Sequence, residues 1–320
     1  MNIQEIISNP KQYMSCLQSA INVYFERNSI NGYDTFVWGG NLTYTNKSER
    51  LYNNLSVTYS NTTNDFIIKN MDVDLSYYTK SSTPFDKAIT LAIESMNNGS
   101  SVIWGMDAIY CPWNKAFEKI HYSHYFLIEQ IDEMNKEAVV YDEYMSDGER
   151  HSLSFKLLEQ GYMNMRIIRK CNDNKSNPTM SFMELVMELQ KHCCDNVALS
   201  TMCTTFANDC IKATFDDLFE STNPENCTLI LTMNEYKKIK LGVAYRIFMC
   251  NEAENEDSSA HEIGKLFFLV AKTLEKINTK LMRILLKGSI NDKDRLSIKG
   301  FAENALEQER HINYLLSEFK

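Results

Sequence analysis

From Ser258 to Gly288 the apolar residues Ile263, Phe267, Val270, Leu274, Ile277, Leu281 and Ile284 step by four and three in alternation. Only a helix returns residues at that spacing to one face, so this stretch is expected to fold as a long helix with a continuous apolar seam. Gly288 stops it, as a residue tolerant of the left-handed conformation does at a helix end. The last segment answers with Ile298, Phe301, Ala305, Ile312, Leu315 and Phe319, broken at Gln308 where the pattern asks for an apolar residue. Two long helices joined across Gly288–Asp294 make an antiparallel hairpin. Its seam is either bundle core within one chain, the commoner use, or a coiled-coil contact between chains.

The first half has a different rhythm. Ser15 and Gln18 form an S-x-x-Q capping box ahead of Leu17, Ala20, Ile21, Tyr24 and Phe25, which predicts a helix over 16–27. Phe36-Val37-Trp38 runs into Gly39-Gly40 as a strand or turn. Ala88, Leu91, Ala92 and Met96 predict a helix over 85–96, ended by Asn97-Asn98-Gly99. Strands are expected at 101–105 and 161–169, and a β-hairpin pairs 125–131 with 137–141 around 132–136. Asn172–Pro178, polar and closed by a proline, reads as a linker. The expected fold class is α+β, with a mixed domain over 1–172 and a helical one over 179–320.

Apolar residues make up 44% of 320, enough for a core in each part and too many for a disordered chain. Lys+Arg 33 against Asp+Glu 42 leaves −9, which excludes a nucleic-acid binder that relies on a general basic field. The start, Met1–Glu5, lacks the basic and apolar regions of a secretory leader. No apolar run nears the ~18 residues that span a membrane, so the expected place is the cytoplasm, where thiols stay reduced. The nine cysteines contain no C-x-x-C. His192-Cys193-Cys194 with Cys203 and Cys210 lacks the paired spacing of a zinc site, so neither a metal nor another cofactor is expected.

One constellation has the residue types of nucleophilic catalysis. Cys16 lies at the first position of its helix, where unpaired amides and the macrodipole favour the thiolate, the nucleophilic form. His124 and Asp142 lie at the two ends of the expected hairpin. With the turn centred on Glu133, His124 faces Asp142, Tyr125 faces Tyr141 and Ile131 faces Asn135. Directly opposed residues have Cβ atoms roughly 5 Å apart, close enough for a carboxylate to orient an imidazole. A Cys–His–Asp site needs that arrangement: a base for the thiol proton, and a carboxylate that fixes its tautomer. The plain alternative is a small core cysteine and a surface His–Asp pair. His121 is expected to face away from His124, while His151, His192, His261 and His311 have no matching carboxylate and are read as structural or solvated.

Ser15-Cys16-Leu17-Gln18 is followed by Trp38-Gly39-Gly40-Asn41-Leu42-Thr43-Tyr44, then by Val102-Ile103-Trp104-Gly105-Met106-Asp107-Ala108-Ile109-Tyr110-Cys111-Pro112-Trp113. His121-Tyr122-Ser123-His124-Tyr125-Phe126-Leu127-Ile128 and Val139-Val140-Tyr141-Asp142 complete the order. Over about residues 10–170 this order resembles the butirosin-biosynthesis-protein-H family of papain-like cysteine enzymes, and the succession Cys, His, Asp is similar to peptidase family C39. The resemblance implies a papain-like (C39-like) cysteine-protease fold with an appended α-helical domain. It also implies an acyltransferase, an amide synthetase working in natural-product biosynthesis. Such an enzyme takes an acyl group from a phosphopantetheine thioester on an acyl carrier protein. Cys16 would receive the acyl group and pass it to an amine or diamine, with His124 as base and acid and Asp142 as orienter. Size and Asn-rich composition further resemble the enzymes of closthioamide-type polythioamide assembly, an antibiotic pathway. A C39-like peptidase or amidase, in which water resolves the acyl group, and an inactive papain-like binding module remain as alternatives.

The chain departs from the family's pattern in places. Where such enzymes carry an oxyanion-hole glutamine, this chain has Pro10; Gln12 and Asn9 are nearby substitutes, and the Cys16 amide is the other donor. Leu17, not a small residue, follows the nucleophile. Asp107, Tyr110 and Trp113 follow a strand end. Asp107 is expected either to hold a cationic amine, with the rings lining its channel, or to cap a turn above core aromatics. An acidic chain that meets an acidic carrier needs a local basic patch. The candidates are Lys237, Lys238 and Lys240, or Lys272, Lys276, Lys280, Arg283 and Lys287.

Overall fold

The computed structural model describes residues 15–29, 40–44, 48–59, 73–119, 121–146, 148–171, 182–193, 205–224, 227–248 and 258–319. In chain order they form α1 (Cys16–Arg27), β1 (Gly40–Tyr44), β2 (Leu55–Tyr59), β3 (Val73–Thr79), α2 (Phe85–Asn97), β4 (Ser101–Asp107) and β5 (Ser123–Asp132). There follow β6 (Glu137–Asp142), α3 (Glu143–Ser146), β7 (Glu149–Ser154), α4 (Phe155–Gly161), β8 (Tyr162–Lys170) and α5 (Phe182–Cys193). The remainder is helical: α6 over 205–212, α7 (Phe215–Leu218), α8 (Thr228–Phe248), α9 (Ser259–Lys287) and α10 (Asp292–Glu318). The fold class is α+β, as expected. Over the described residues the chain divides into two compact units, Met14–Tyr33 with Asn64–Pro178, and Asp34–Thr63 with Thr179–Lys320. A single cut after residue 172 therefore does not describe it. The antiparallel pair β1–β2 packs against α5 and α8, so it groups with the helices despite its place in the sequence. Phe36–Gly39 and the linker Asn172–Pro178 lie outside the described residues.

The first unit is built on an antiparallel sheet ordered β3-β8-β4-β5-β6-β7. Alternate residues of the strands (Val102, Trp104 and Met106 on β4, Phe126 and Ile128 on β5, Ala138 and Val140 on β6) form one buried face. Ala88, Ile89 and Ala92 of α2 pack into that face, the two alanines letting the helix approach the large rings. Phe85 meets Trp104, Phe155 and Tyr162 edge-on, which suits the ring quadrupoles. α2 ends with Gly99 at φ +77, the left-handed conformation that the Asn97-Asn98-Gly99 run promised.

α1 starts at the Ser15 capping box and packs along β5. Its 12 residues span about 18 Å, close to the roughly 20 Å that β5 covers from Ser123 to Glu129. Both ends are tied. The Cys16 Sγ lies 3.8 Å from the Ser123 carbonyl oxygen, and Arg27 pairs with Glu129 at 2.7 Å while its guanidinium covers the Tyr141 ring at 4.4 Å.

The β5–β6 hairpin corrects the expected register. Asp132 pairs with Glu137, Ile131 with Ala138 and Leu127 with Tyr141, so neither Tyr125–Tyr141 nor Ile131–Asn135 is a pair. Asn135 instead sits in the turn, where its amide and side chain both donate to Asp132. That turn alone would set Asp142 opposite Leu127, on the face away from His124. A bulge between Ile128 and Gln130 absorbs one residue, and Asp142 returns to the face shared by Phe126 and His124. His124 and Asp142 thus meet diagonally rather than directly.

In the second unit α8 packs on α9, and α9 on α10. All seven seam positions of α9 from Ile263 to Ile284 are buried within the chain, and Gly288 closes the helix at φ +68. The break at Gln308 has a partner: the Thr273 hydroxyl, buried on α9, donates to its Oε1 at 3.1 Å. One residue on, Glu309 accepts from the Tyr236 hydroxyl at 3.0 Å and pairs with buried Lys240 at 2.5 Å. Among the expected docking cations Lys240 is therefore inside the bundle, Lys238 pairs with Glu235, Lys272 with Glu275, and Lys280 and Lys287 with Asp294. Among the described residues no helix is long and apolar enough to cross a membrane.

Candidate active site

Cys16 is half-buried and carries a free thiol at the first position of α1. The Ser15 hydroxyl caps the Gln18 amide, while helix geometry gives the amides of Cys16 and Leu17 no intrahelical acceptor. The sulfur thus sits at a cluster of backbone donors.

Across from it stands a carboxylate with every lone pair in use. Asp142 Oδ2 lies 2.6 Å from His124 Nε2 and accepts from the Trp113 indole at 2.7 Å. Its Oδ1 accepts from the amides of Tyr144 at 3.0 Å and Met145 at 3.2 Å, so the residue that orients His124 also caps α3. The His124 and Asp142 side chains are both 0% exposed. With Nε2 committed to the carboxylate, Nδ1 is the nitrogen left over; it is buried and makes no hydrogen bond among the described residues. The Cys16 thiol also interacts with the His124 imidazole.

Electrostatics follow from the same contacts. Burial works against charge on His124, but the hydrogen bond to Asp142 and the influence of the nearby Cys16 sulfur outweigh it and lift the imidazole to about 9. Burial likewise opposes the Asp142 charge, yet His124, Trp113 and the Met145 amide together hold the carboxyl below its usual range. Cys111 gives the contrast. It is fully buried near Asp142, and burial, then the carboxylate's charge, push its thiol far up, which leaves it inert. Burial does the same to Cys210, and raises Cys227 to about 11.

Rings surround the pair. Tyr144 lies 6.4 Å from the His124 ring and Phe126 6.0 Å. The Tyr122 hydroxyl donates to buried Asn114 at 2.7 Å; burial, joined by nearby Cys16, pushes that phenol up.

The residues expected at the substrate side separate. Trp113 supports Asp142 through its indole N–H, and its ring stacks on His151 at 4.2 Å and 3°, so His151 is the wall behind Trp113. Tyr110 packs against the core. Asp107 caps the Ile109 amide at 3.3 Å and lies 2.6 Å from the ring of exposed His121, so its two oxygens already have partners within the chain. Gln12 and Asn9 lie outside the described residues; of the donors expected from sequence, the Cys16 amide is the one that is described. The supporting roles of Trp113, Tyr122, Tyr144 and Asn114 were not read from sequence. Only one had a local signal: Asp142 followed by Glu143–Ser146 has the form of an N-cap and a first turn. Among the described residues no cluster of three His, Cys, Asp or Glu side chains is placed to hold a metal. Of the His192–Cys210 group, Cys194 and Cys203 lie outside the described residues.

Compared with known proteins, the chain matches no family model, and no curated protein matches it.

Proposed function

We propose that Cys16, His124 and Asp142 form a nucleophilic site of the papain-like (C39-like) kind. Its task is to transfer an acyl group from a carrier-bound thioester to an amine. The observation that carries this reading is the buried His124–Asp142 pair, which leaves one ring nitrogen uncommitted while a thiol at a helix start acts on the same imidazole. The raised basicity of His124 lets it hold the thiol proton at neutral pH. Sulfur attacks the thioester carbonyl, the backbone amide of Cys16 takes up the developing oxyanion charge, and the carrier's C–S bond breaks. The imidazolium gives its proton to the departing thiolate. An amine then attacks the acyl–Cys16 carbonyl, loses its proton to His124, and expels the Cys16 sulfur. Asp142 holds the tautomer throughout and compensates the imidazolium charge. An assembly step of the closthioamide type, joining carrier-bound acyl groups to a diamine, fits this chemistry.

The test follows mass after mixing the protein with an acyl-pantetheine thioester, with and without a diamine. A Cys16 adduct discharged faster by diamine, with amide product, is the expected result. Discharge at one rate regardless of amine points to a hydrolase. Identical spectra for wild type and Cys16→Ala overturn the site altogether.

A further inference from the structure

Arg166 is a buried guanidinium without a counter-ion among the described residues. It stands mid-strand on β8 with 8% of its surface exposed, and no carboxylate among the described residues pairs with it. Tyr77 covers it at 4.7 Å and Tyr125 at 5.2 Å, so stacked rings rather than charges surround its plane. Nη1 donates to Asn164 Oδ1 at 3.1 Å, but Nε is buried with no partner. The unused edge is the Nε/Nη2 fork, the side that matches two oxygens of one carboxylate or phosphate. An isolated buried charge is expensive, and a chain retains one where something outside it supplies the compensation.

The surroundings are built to shape this place. Gly105 lies opposite both Tyr125 and Asn164, and a Cβ there would meet Tyr125 at 2.6 Å and Asn164 Oδ1 at 2.8 Å. Glycine on β4 therefore lets those two side chains converge, and Asn164 Nδ2 donates to the Tyr125 hydroxyl at 3.4 Å. Register sets Tyr77, Arg166, Ile103, Leu127 and Tyr141 in one row across five strands. Tyr141 carries Arg27 of α1, so this row lies on the face that bears the Cys16 helix. Strand spacing and rise put Arg166 on the order of 15 Å from Ser123, the residue beside the Cys16 sulfur.

We infer that Arg166, framed by Tyr77, Tyr125 and Asn164, binds an oxyanion of the substrate, a phosphate or a carboxylate set apart from the reacting carbonyl. The two sources are the phosphate of a pantetheine arm and a carboxylate on the amine acceptor. Assigning the anion to the substrate rests on the acyl-transfer reading; the anion site itself does not.

The experiment is calorimetric titration of full-length Cys16→Ala protein, which binds but does not turn over. One arm compares 4′-phosphopantetheine with pantetheine, the other β-alanine with β-alaninamide. In one arm the oxyanion-bearing member is expected to bind at least tenfold tighter, and that arm names the source. Arg166→Met keeps the stem between the rings and removes the charge. It is expected to abolish the preference and to raise Tm, since an uncompensated charge has gone. No preference in either arm, a preference that survives Arg166→Met, or a lowered Tm in that variant overturns the proposal. Absence of an acyl adduct on Cys16 with the anion preference intact would sink the acyl-transfer reading alone.

Discussion

Two histidine–aspartate pairs stand at the start of β5, three residues apart in their histidines, and both close to 2.6 Å. His124 and Asp142 are 0% exposed, whereas His121 is 71% and Asp107 23% exposed. Distance alone does not separate the two pairs. What differs is how much depends on each carboxylate. Asp142 answers an imidazole, an indole and two amides in a place that water does not reach. Asp107 answers one exposed ring and one amide. In high dielectric such an exposed pair contributes about 0–1 kcal/mol, while removal of one partner from a buried network leaves the others unsatisfied.

The sharpest way to break this comparison is to remove each carboxylate in turn. Asp142→Ala orphans the Trp113 indole, His124 Nε2 and the amides of Tyr144 and Met145. Urea unfolding is expected to show a loss of about 3–5 kcal/mol. Asp107→Ala is expected to lose less than about 1 kcal/mol in the same assay. Equal losses would mean that burial does not distinguish the pairs.

The next effect is on pH dependence. The folded state lifts His124 to about 9 from 6.5, so the protonated ring stabilises the fold. That contribution is fully present below pH ~6.5 and lost as pH rises through about 9. Wild type minus His124→Gln in Tm should therefore shrink across this window. In an Asp142→Asn background the partner charge is gone, and the loss should begin at lower pH. Alkylation of Cys16 by iodoacetamide, followed by mass, should move in parallel. A Tm difference flat from pH 6 to 9.5 would remove His124 from the titrating pair.

Much of this site was legible in the sequence, though not for the reason the pattern offered. The capping box at Ser15 and Gln18 is a local signal, and local signals survive folding: the helix starts at Cys16 as expected. The hairpin was legible as an element but its register was not. Turn length is one source of offset and the bulge near Glu129 a second, and no apolar alternation announces a bulge occupied by a glutamate. The two offsets together preserve the face, so the expected His124–Asp142 contact exists while the expected pairs beside it do not. Trp113 could not be assigned to Asp142 by spacing, because the contact crosses 29 residues and depends on tertiary packing. Gln308 is the same lesson in the helical unit. A polar residue in an apolar seam marks a partner, here Thr273, that periodicity does not name.

The smallest expected effect is the most discriminating. His121→Gln keeps a side chain able to donate to Asp107 and removes the imidazole. His121 is exposed at the same end of β5 as His124, which makes it the surface histidine to test as a base for Cys16. With His124 as the base, His121→Gln should leave the rate and pH profile of Cys16 alkylation within about twofold and change stability by no more than about 0.5 kcal/mol. A large drop in alkylation would transfer the base to the exposed pair. The buried pair would then be scaffold, because a single thiol has one proton to give and only one of the two histidines can be placed to take it.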